Sequence, residues 1–270
     1  MLAKNLVSSK IIKKIYPIFI PQIGCPFKCI YCDQYKITKT TCIDWNDTIK
    51  NVQNFIKNNK NSSKEVAFFG GTFTYLTKNE MQEYFDRVLP YFDDHTYFRI
   101  STRPDVIDYD ILTFLYKNRV NTIELGVQSF SDIELKASRR GYSSETAISS
   151  CKMIMEFGFI LSIQLIIGLP NADISTYNYT MDILKKIKPQ YVRLYPLLVL
   201  ADTELAVMYN NEEYTPLTLI EAVKICRLFL ETCDDLGVKI IKIGLHSDIA
   251  PPDILAGPFH ARFGELVKKV

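Results

Sequence analysis

The chain has 270 residues, 47% of them hydrophobic and 23% charged, enough apolar material to bury a core over most of its length and to exclude a disordered polymer. Lys and Arg number 32 and Asp and Glu 30, so the formal charge of +2 implies neither a strongly basic nucleic-acid groove nor an acidic tail. The cysteines number seven, an odd count, and three fall within eight residues, which reads as reduced thiols, some of them ligands, rather than as a secreted disulfide framework.

At the N-terminus, Lys4, Lys10, Lys13 and Lys14 cut the apolar residues before a signal-peptide core can form, so a cytoplasmic location is expected. Residues 16–20 read as a buried strand. The pattern then alternates: helix 44–57, strand 66–69, helix 78–91, strand 98–101, helix 108–118, strand 122–127, helix 144–157, strand 160–166, helix 174–187, strand 191–195, helix 216–236 and a weaker strand 238–243. The most apolar run, 159–169, is too short to cross a bilayer and is broken by Ser162 and Gln164, so no membrane segment is expected. Thr77 with Glu80 makes a capping-box pattern, Thr215 before Pro216 marks a helix start, and Gly158 and Gly237 mark two helix ends.

Alternating strands and helices imply parallel βαβ units, and no linker, repeat or low-complexity tract divides them, so one domain is expected. Such units build either an open doubly wound sheet or an incomplete (β/α) barrel. In both, function collects where strands end and helices begin.

After the first strand comes Cys25-Pro26-Phe27-Lys28-Cys29-Ile30-Tyr31-Cys32, whose spacing lets three thiolates converge on one centre from a single loop. A three-thiolate site leaves one position open for a substrate or cofactor. Cys42, ten residues beyond Cys32, would close the site if it were a fourth ligand.

This loop resembles that of the radical S-adenosylmethionine (SAM) enzymes. The resemblance implies a 4Fe-4S cluster on Cys25, Cys29 and Cys32, with the amine and carboxylate of SAM on the fourth iron, and it places Tyr31 near the adenine. Gly70-Gly71-Thr72, after the second strand, resembles the family's glycine motif, which receives the SAM amino group on carbonyl oxygens and the following side chain. Ser101, at the end of the third strand, stands where relatives more often carry a glutamate that contacts the ribose; a hydroxyl can bond there but offers no charged bidentate acceptor. Gln128 matches a SAM-contacting glutamine, and Arg140, beside Arg139, matches an arginine that meets the methionyl carboxylate. Gln164 occupies the place of a ribose-binding aspartate. Arg103 reads either as a substrate contact or as the salt-bridge partner of Asp105. No catalytic side chain is assigned.

The resemblance implies an α/β fold, a partial TIM barrel of (β/α)6 type, with residues 1–15 as an N-terminal extension, 16–243 as the barrel and 244–270 as a C-terminal extension open to continuation in a longer chain. Its closest flavour is the radical SAM half of the Elongator catalytic subunit, through 70–73, 102–105, 125–129, Arg140-Gly141 and 195–197; oxygen-independent coproporphyrinogen III oxidases are more distant. The sequence holds no acetyltransferase half, so tRNA carboxymethylation is not carried over. The implied chemistry is reductive cleavage of SAM to a 5'-deoxyadenosyl radical that takes hydrogen from an unidentified substrate, with a flavodoxin or ferredoxin as electron donor and tRNA among the candidate substrates. An iron-sulfur electron carrier would need a fourth cysteine ligand, and a zinc-stabilised RNA-binding module would need a closed zinc site.

Cys151, Cys226 and Cys233 sit among apolar residues at helical spacing and read as core. His95, His246 and His260 form no metal-spaced pair, and no Gly-x-Ser-x-Gly elbow accompanies them, so hydrolase chemistry has no support.

Overall fold

Strands spaced about thirty residues apart need a crossover each, and in the computed structural model, which describes residues 14–21, 25, 28–38, 40–244 and 251–269, each crossover carries helix. The strands are β1 (Lys14–Phe19), β2 (Lys64–Phe69), β3 (Thr96–Thr102), β4 (Val120–Gln128), β5 (Ile160–Ile167), β6 (Tyr191–Pro196), the two-residue β7 (Val199–Leu200), β8 (Lys239–Ile243) and β9 (Ile254–Ala256). Seven of them lie parallel in one sheet in the order β1-β2-β3-β4-β5-β6-β8. The order never reverses, as a doubly wound sheet requires, and β1 and β8 remain sheet edges. The fold is therefore an incomplete barrel, and the weak strand at 239–243 joins it as a seventh stave.

The helices are α1 (Gln34–Thr38), α2 (Trp45–Lys57), α3 (Lys78–Val88), α4 (Tyr109–Lys117), α5 (Asp132–Ala137), α6 (Ser144–Glu156), α7 (Ile174–Ile187), α8 (Glu204–Asn210), α9 (Leu219–Asp235) and α10 (Phe263–Lys269). Thr77 and Glu80 form the expected capping box on α3. The last long helix begins at Leu219 instead of Pro216, because Thr218 and Glu221 make a second capping box that satisfies its first amides. Periodicity misses α1, α5, α8, α10 and the β7–β9 pair, all too short to display a period. No helix among the described residues is long and apolar enough to cross a membrane.

Strand side chains alternate between the two faces of the sheet. Val66, Phe68, Phe98, Ile100, Ile123 and Leu125 face the helices and build the main core, with Phe68 stacked on Phe73 and Phe98 at ring distances of 5.1 and 5.6 Å. Cys151, Cys226 and Cys233 are buried there, and burial pushes the last two thiols up to about 12, so they stay protonated and inert. The residues in between line the barrel interior. A second apolar cluster at the mouth, including Ile30, Leu197, Leu205 and Tyr214, anchors the cysteine loop, whose Ile30 carbonyl accepts the Leu205 amide at 2.8 Å.

Glu134 on α5 is 1% exposed and its Oε1 has no hydrogen-bond partner. Burial holds this carboxyl above its usual value, against hydrogen bonds from Thr176 and Ser129. The folded protein thus binds this proton more tightly than the unfolded chain, and stability falls as pH rises from about 4.3, the ordinary glutamate value. Glu134→Gln should flatten that slope in a series of thermal unfolding midpoints against pH; an unchanged slope would mean Glu134 does not titrate in the folded protein.

Candidate active site

A cavity of about 180 Å³ opens at the carboxyl ends of the strands. Tyr31 and Cys32 reach it from the cysteine loop, Gly70 from the end of β2, Ser101 from β3, Gln128 from the end of β4 and Gln164 from β5. Phe19, Phe69, Leu197 and Leu200 make much of its wall apolar. Glu124 and Arg193 supply charge at its base, and Tyr195 joins them.

Gly70 turns the chain with φ of +119°, where a Cβ would stand 2.4 Å from the Ile20 carbonyl oxygen. Gln128 also has positive φ, +67°, at the shift in register between β4 and β5. Its side chain fits because Gly126 lacks a Cβ, which would lie 3.1 Å from Gln128 Nε2 and 3.7 Å from Gln164 Oε1. Gln128 Oε1 is buried without a hydrogen-bond partner in the protein, an acceptor at a cavity wall that a ligand donor would satisfy. Gln164 gives its amide N–H to Glu124 Oε1, so its amide oxygen is what it offers to a ligand.

Sequence reasoning missed Glu124, Arg193 and Tyr142. Glu124 faces Ser101 in register, takes Arg99 Nη1 at 2.8 Å, and lies 3.0 Å from Arg193 Nε in an ion pair whose angle falls short of a hydrogen bond. The available signal was a charged residue in the middle of a buried parallel strand, which must be paired to be tolerated.

Several expected site residues stand away from the cavity. Thr72 is buried at the start of a short 3-10 turn and Gly71 is half-buried. Of the other cysteines, Cys29 is buried, Cys25 half-buried and Cys42 exposed, and none of the three lines the cavity that Cys32 reaches. Among the described residues no three His, Cys, Asp or Glu side chains converge as a metal cage; the cysteine loop supplies the right donors without closing them on a point. Arg140 lies behind the loop, its Nη1 donating to Cys29 Sγ at 3.1 Å and to the Tyr31 hydroxyl at 3.3 Å. Burial raises the Tyr31 phenol well above its usual value despite Arg140 beside it. Arg103 forks onto Asp105 at 2.9 and 2.8 Å, which is the salt-bridge alternative of its two readings. Arg139 is exposed and pairs with Glu204, so the two adjacent arginines point to different surroundings. His246 lies outside the described residues.

Soft thiol donors on one loop, a partnerless buried acceptor and a partly apolar cavity fit an iron-sulfur cluster with a nucleoside-bearing ligand beside it. Comparison with known proteins gives the same chemistry. The radical SAM superfamily model matches residues 19–184, and the radical SAM C-terminal domain model matches 189–270. An uncharacterized protein of Methanocaldococcus jannaschii is 27% identical over 266 residues, covering 93% of this chain and 81% of its own length. The tRNA uridine(34) acetyltransferase of the same organism is 30% identical over 178 residues, 63% of this chain but 31% of that protein. Among solved structures, an N-terminally shortened Elp3 of Methanocaldococcus infernus superposes with a TM-score of 0.72 at 20% identity, over 96% of this chain and 63% of that one, a likeness of fold. The chain belongs to the radical SAM superfamily, whose enzymes use a 4Fe-4S cluster and S-adenosylmethionine.

Proposed function

We propose that this radical SAM enzyme binds SAM in the cavity and takes hydrogen from a substrate presented at the open side of the barrel mouth. What supports the reading is one arrangement: residues from the cysteine loop and from the ends of four successive strands, β2 to β5, meet at a single cavity. When bound, the cluster supplies one electron to the SAM sulfonium, giving methionine and a 5'-deoxyadenosyl radical.

In this reading Cys25, Cys29 and Cys32 hold the cluster, while Gly70, Gly71 and Thr72 receive the amino group of SAM. Tyr31 lies along the adenine, Ser101 and Gln164 bond the ribose hydroxyls, and the buried Oε1 of Gln128 accepts a further donor. Arg140 stands behind the cluster loop. Phe19, Phe69 and Leu197 exclude water from the reacting atoms. Residues 16–243 form the catalytic barrel and 244–270 a C-terminal extension, whose β9 pairs with β7 and whose α10 packs on α9 and β8. A flavodoxin or ferredoxin is the electron donor. The acetyltransferase relative makes tRNA the first substrate class to test, although this chain spans about a third of that relative's length.

Anaerobically reconstituted protein should carry four irons and, once reduced, form 5'-deoxyadenosine that chromatography detects above a Cys29→Ala control. An intact, reduced cluster with no such product would refute SAM cleavage. Zinc bound at Cys25, Cys29, Cys32 and Cys42 would replace the reading with a structural module.

A further inference from the structure

The proposed function gives polar roles to side chains from the cysteine loop and from β2 to β5, yet β6 also reaches the cavity. Arg193 and Tyr195 line it from the inner face of that strand. Arg193 is 8% exposed and stands in the middle of an otherwise uncharged strand, Tyr191–Pro196. A guanidinium keeps its charge at any ordinary pH, so burial there is costly unless anions or acceptors surround it.

Its surroundings supply few. Glu65, Arg99, Glu124 and Arg193 form a chain of alternating charge through the barrel interior, with steps of 2.8, 2.8 and 3.0 Å. The four charges cancel, and the chain ends on the cation. Glu124 is the only acid among the residues lining the cavity, and its oxygens are engaged before Arg193 is counted, Oε2 by Arg99 and Oε1 by the Gln164 amide. Arg193 Nε is buried without a hydrogen-bond partner, and the other polar neighbour of the guanidinium is the Tyr195 hydroxyl. With five N–H groups to satisfy, the fork is short of acceptors. Its Cζ stands 5.4 Å over the Phe69 ring, which closes that side to a ligand and leaves the N–H edge. Tyr195 adds a donor, because burial pushes its phenol up to about 12 against the arginines nearby and the proton stays on.

We propose that the substrate is a small carboxylic acid whose carboxylate binds Arg193 and Tyr195 and whose hydrocarbon part lies against Phe19, Phe69, Leu197 and Leu200, a reading that rests on the proposed function for the radical that acts on the bound acid. A planar fork matches the two oxygens of a carboxylate, and one cation balances its single charge but not a phosphate dianion. The apolar wall suits a ligand that carries C–H bonds and excludes one that is polar all round.

The test is saturation-transfer NMR on the reconstituted holoprotein at fixed ionic strength, first without and then with SAM, using isovalerate and its neutral counterpart isovaleramide as probes. Isovalerate should bind the wild type roughly tenfold more tightly than the amide, and Arg193→Gln should remove that preference. Tyr195→Phe, which leaves the Arg193–Glu124 pair in place, should weaken isovalerate about threefold. Equal affinity for acid and amide, or a preference that survives Arg193→Gln, would overturn the assignment. Should the Gln variant not fold, Tyr195→Phe decides, and unchanged isovalerate binding overturns it. Displacement of isovalerate by SAM would also overturn it, because SAM carries a carboxylate of its own and Arg193 would then be a cofactor contact. The proposed function fails separately, by absence of 5'-deoxyadenosine from the same preparation, a readout on which the comparison of acid with amide does not depend.

Discussion

Arg99→Met should cost about 3–5 kcal/mol of stability, the loss typical of breaking a buried ion pair from one side. Arg99 is fully buried in the barrel interior, donating through Nε to Glu65 and through Nη1 to Glu124, both at 2.8 Å. Methionine fills much of the space but leaves two carboxylates facing each other in low dielectric. Glu65 would keep its bonds from Thr122 and Asn121, and Glu124 its pairing with Arg193. Neither arrangement restores the lost charge. Typical domains are stable by about 5–15 kcal/mol in total, so the variant should shift the urea midpoint strongly or fail to accumulate. Adding Glu65→Gln to Arg99→Met should recover part of the stability, since one of the two orphaned charges is gone. A midpoint within about 0.5 kcal/mol of wild type would show that the ladder is neutral to the fold.

The same ladder ties stability to the site. Glu124 holds Arg99 with one oxygen, while the other receives Gln164 and neighbours Arg193, and all three of Glu124, Gln164 and Arg193 line the cavity. The barrel floor is therefore an electrostatic continuation of the cavity wall. Substitutions along it should change ligand orientation as well as stability.

The strands were legible because parallel strands buried on both faces read as apolar runs, and the sheet order followed because one long helix lies between each run and the next. What apolarity alone did not convey was the polar inner face: Arg99 and Glu124 lie inside such runs, and only the registers β2-β3-β4 reveal that their side chains meet. The cavity residues were legible for a related reason, since strand ends far apart in sequence share one mouth. The partner of Arg140 was not, because Cys29 is 111 residues away and Tyr142, whose hydroxyl takes the other side of the guanidinium, carries no distinctive spacing. The start of the last long helix shows the local limit: two capping signals, Thr215-Pro216 and Thr218 with Glu221, lie three residues apart, and the reciprocal hydrogen bonds of the second decide between them.

Gly70→Ala should be the most damaging single-methyl change at the site. At φ of +119° an L side chain is strained, and here the added Cβ would also meet the Ile20 carbonyl oxygen at 2.4 Å. That oxygen cannot retreat cheaply, because the Ile20 amide bonds the Phe69 carbonyl at 2.7 Å and the β1-β2 register holds both strands up to that point. Strain and overpacking together should cost about 2–6 kcal/mol. Relief must come by pushing Ile20 away, and Ile20 leads directly into the loop that carries Cys25. Iron content after reconstitution should fall along with the unfolding midpoint. Gly237→Ala supplies the contrast: its φ is also positive, +67°, but nothing lies within 4 Å of the added methyl, so about 1 kcal/mol and full iron loading are expected. If both variants load iron equally, the close approach at Gly70 is a property of the turn alone and the glycine does not position the cysteine loop.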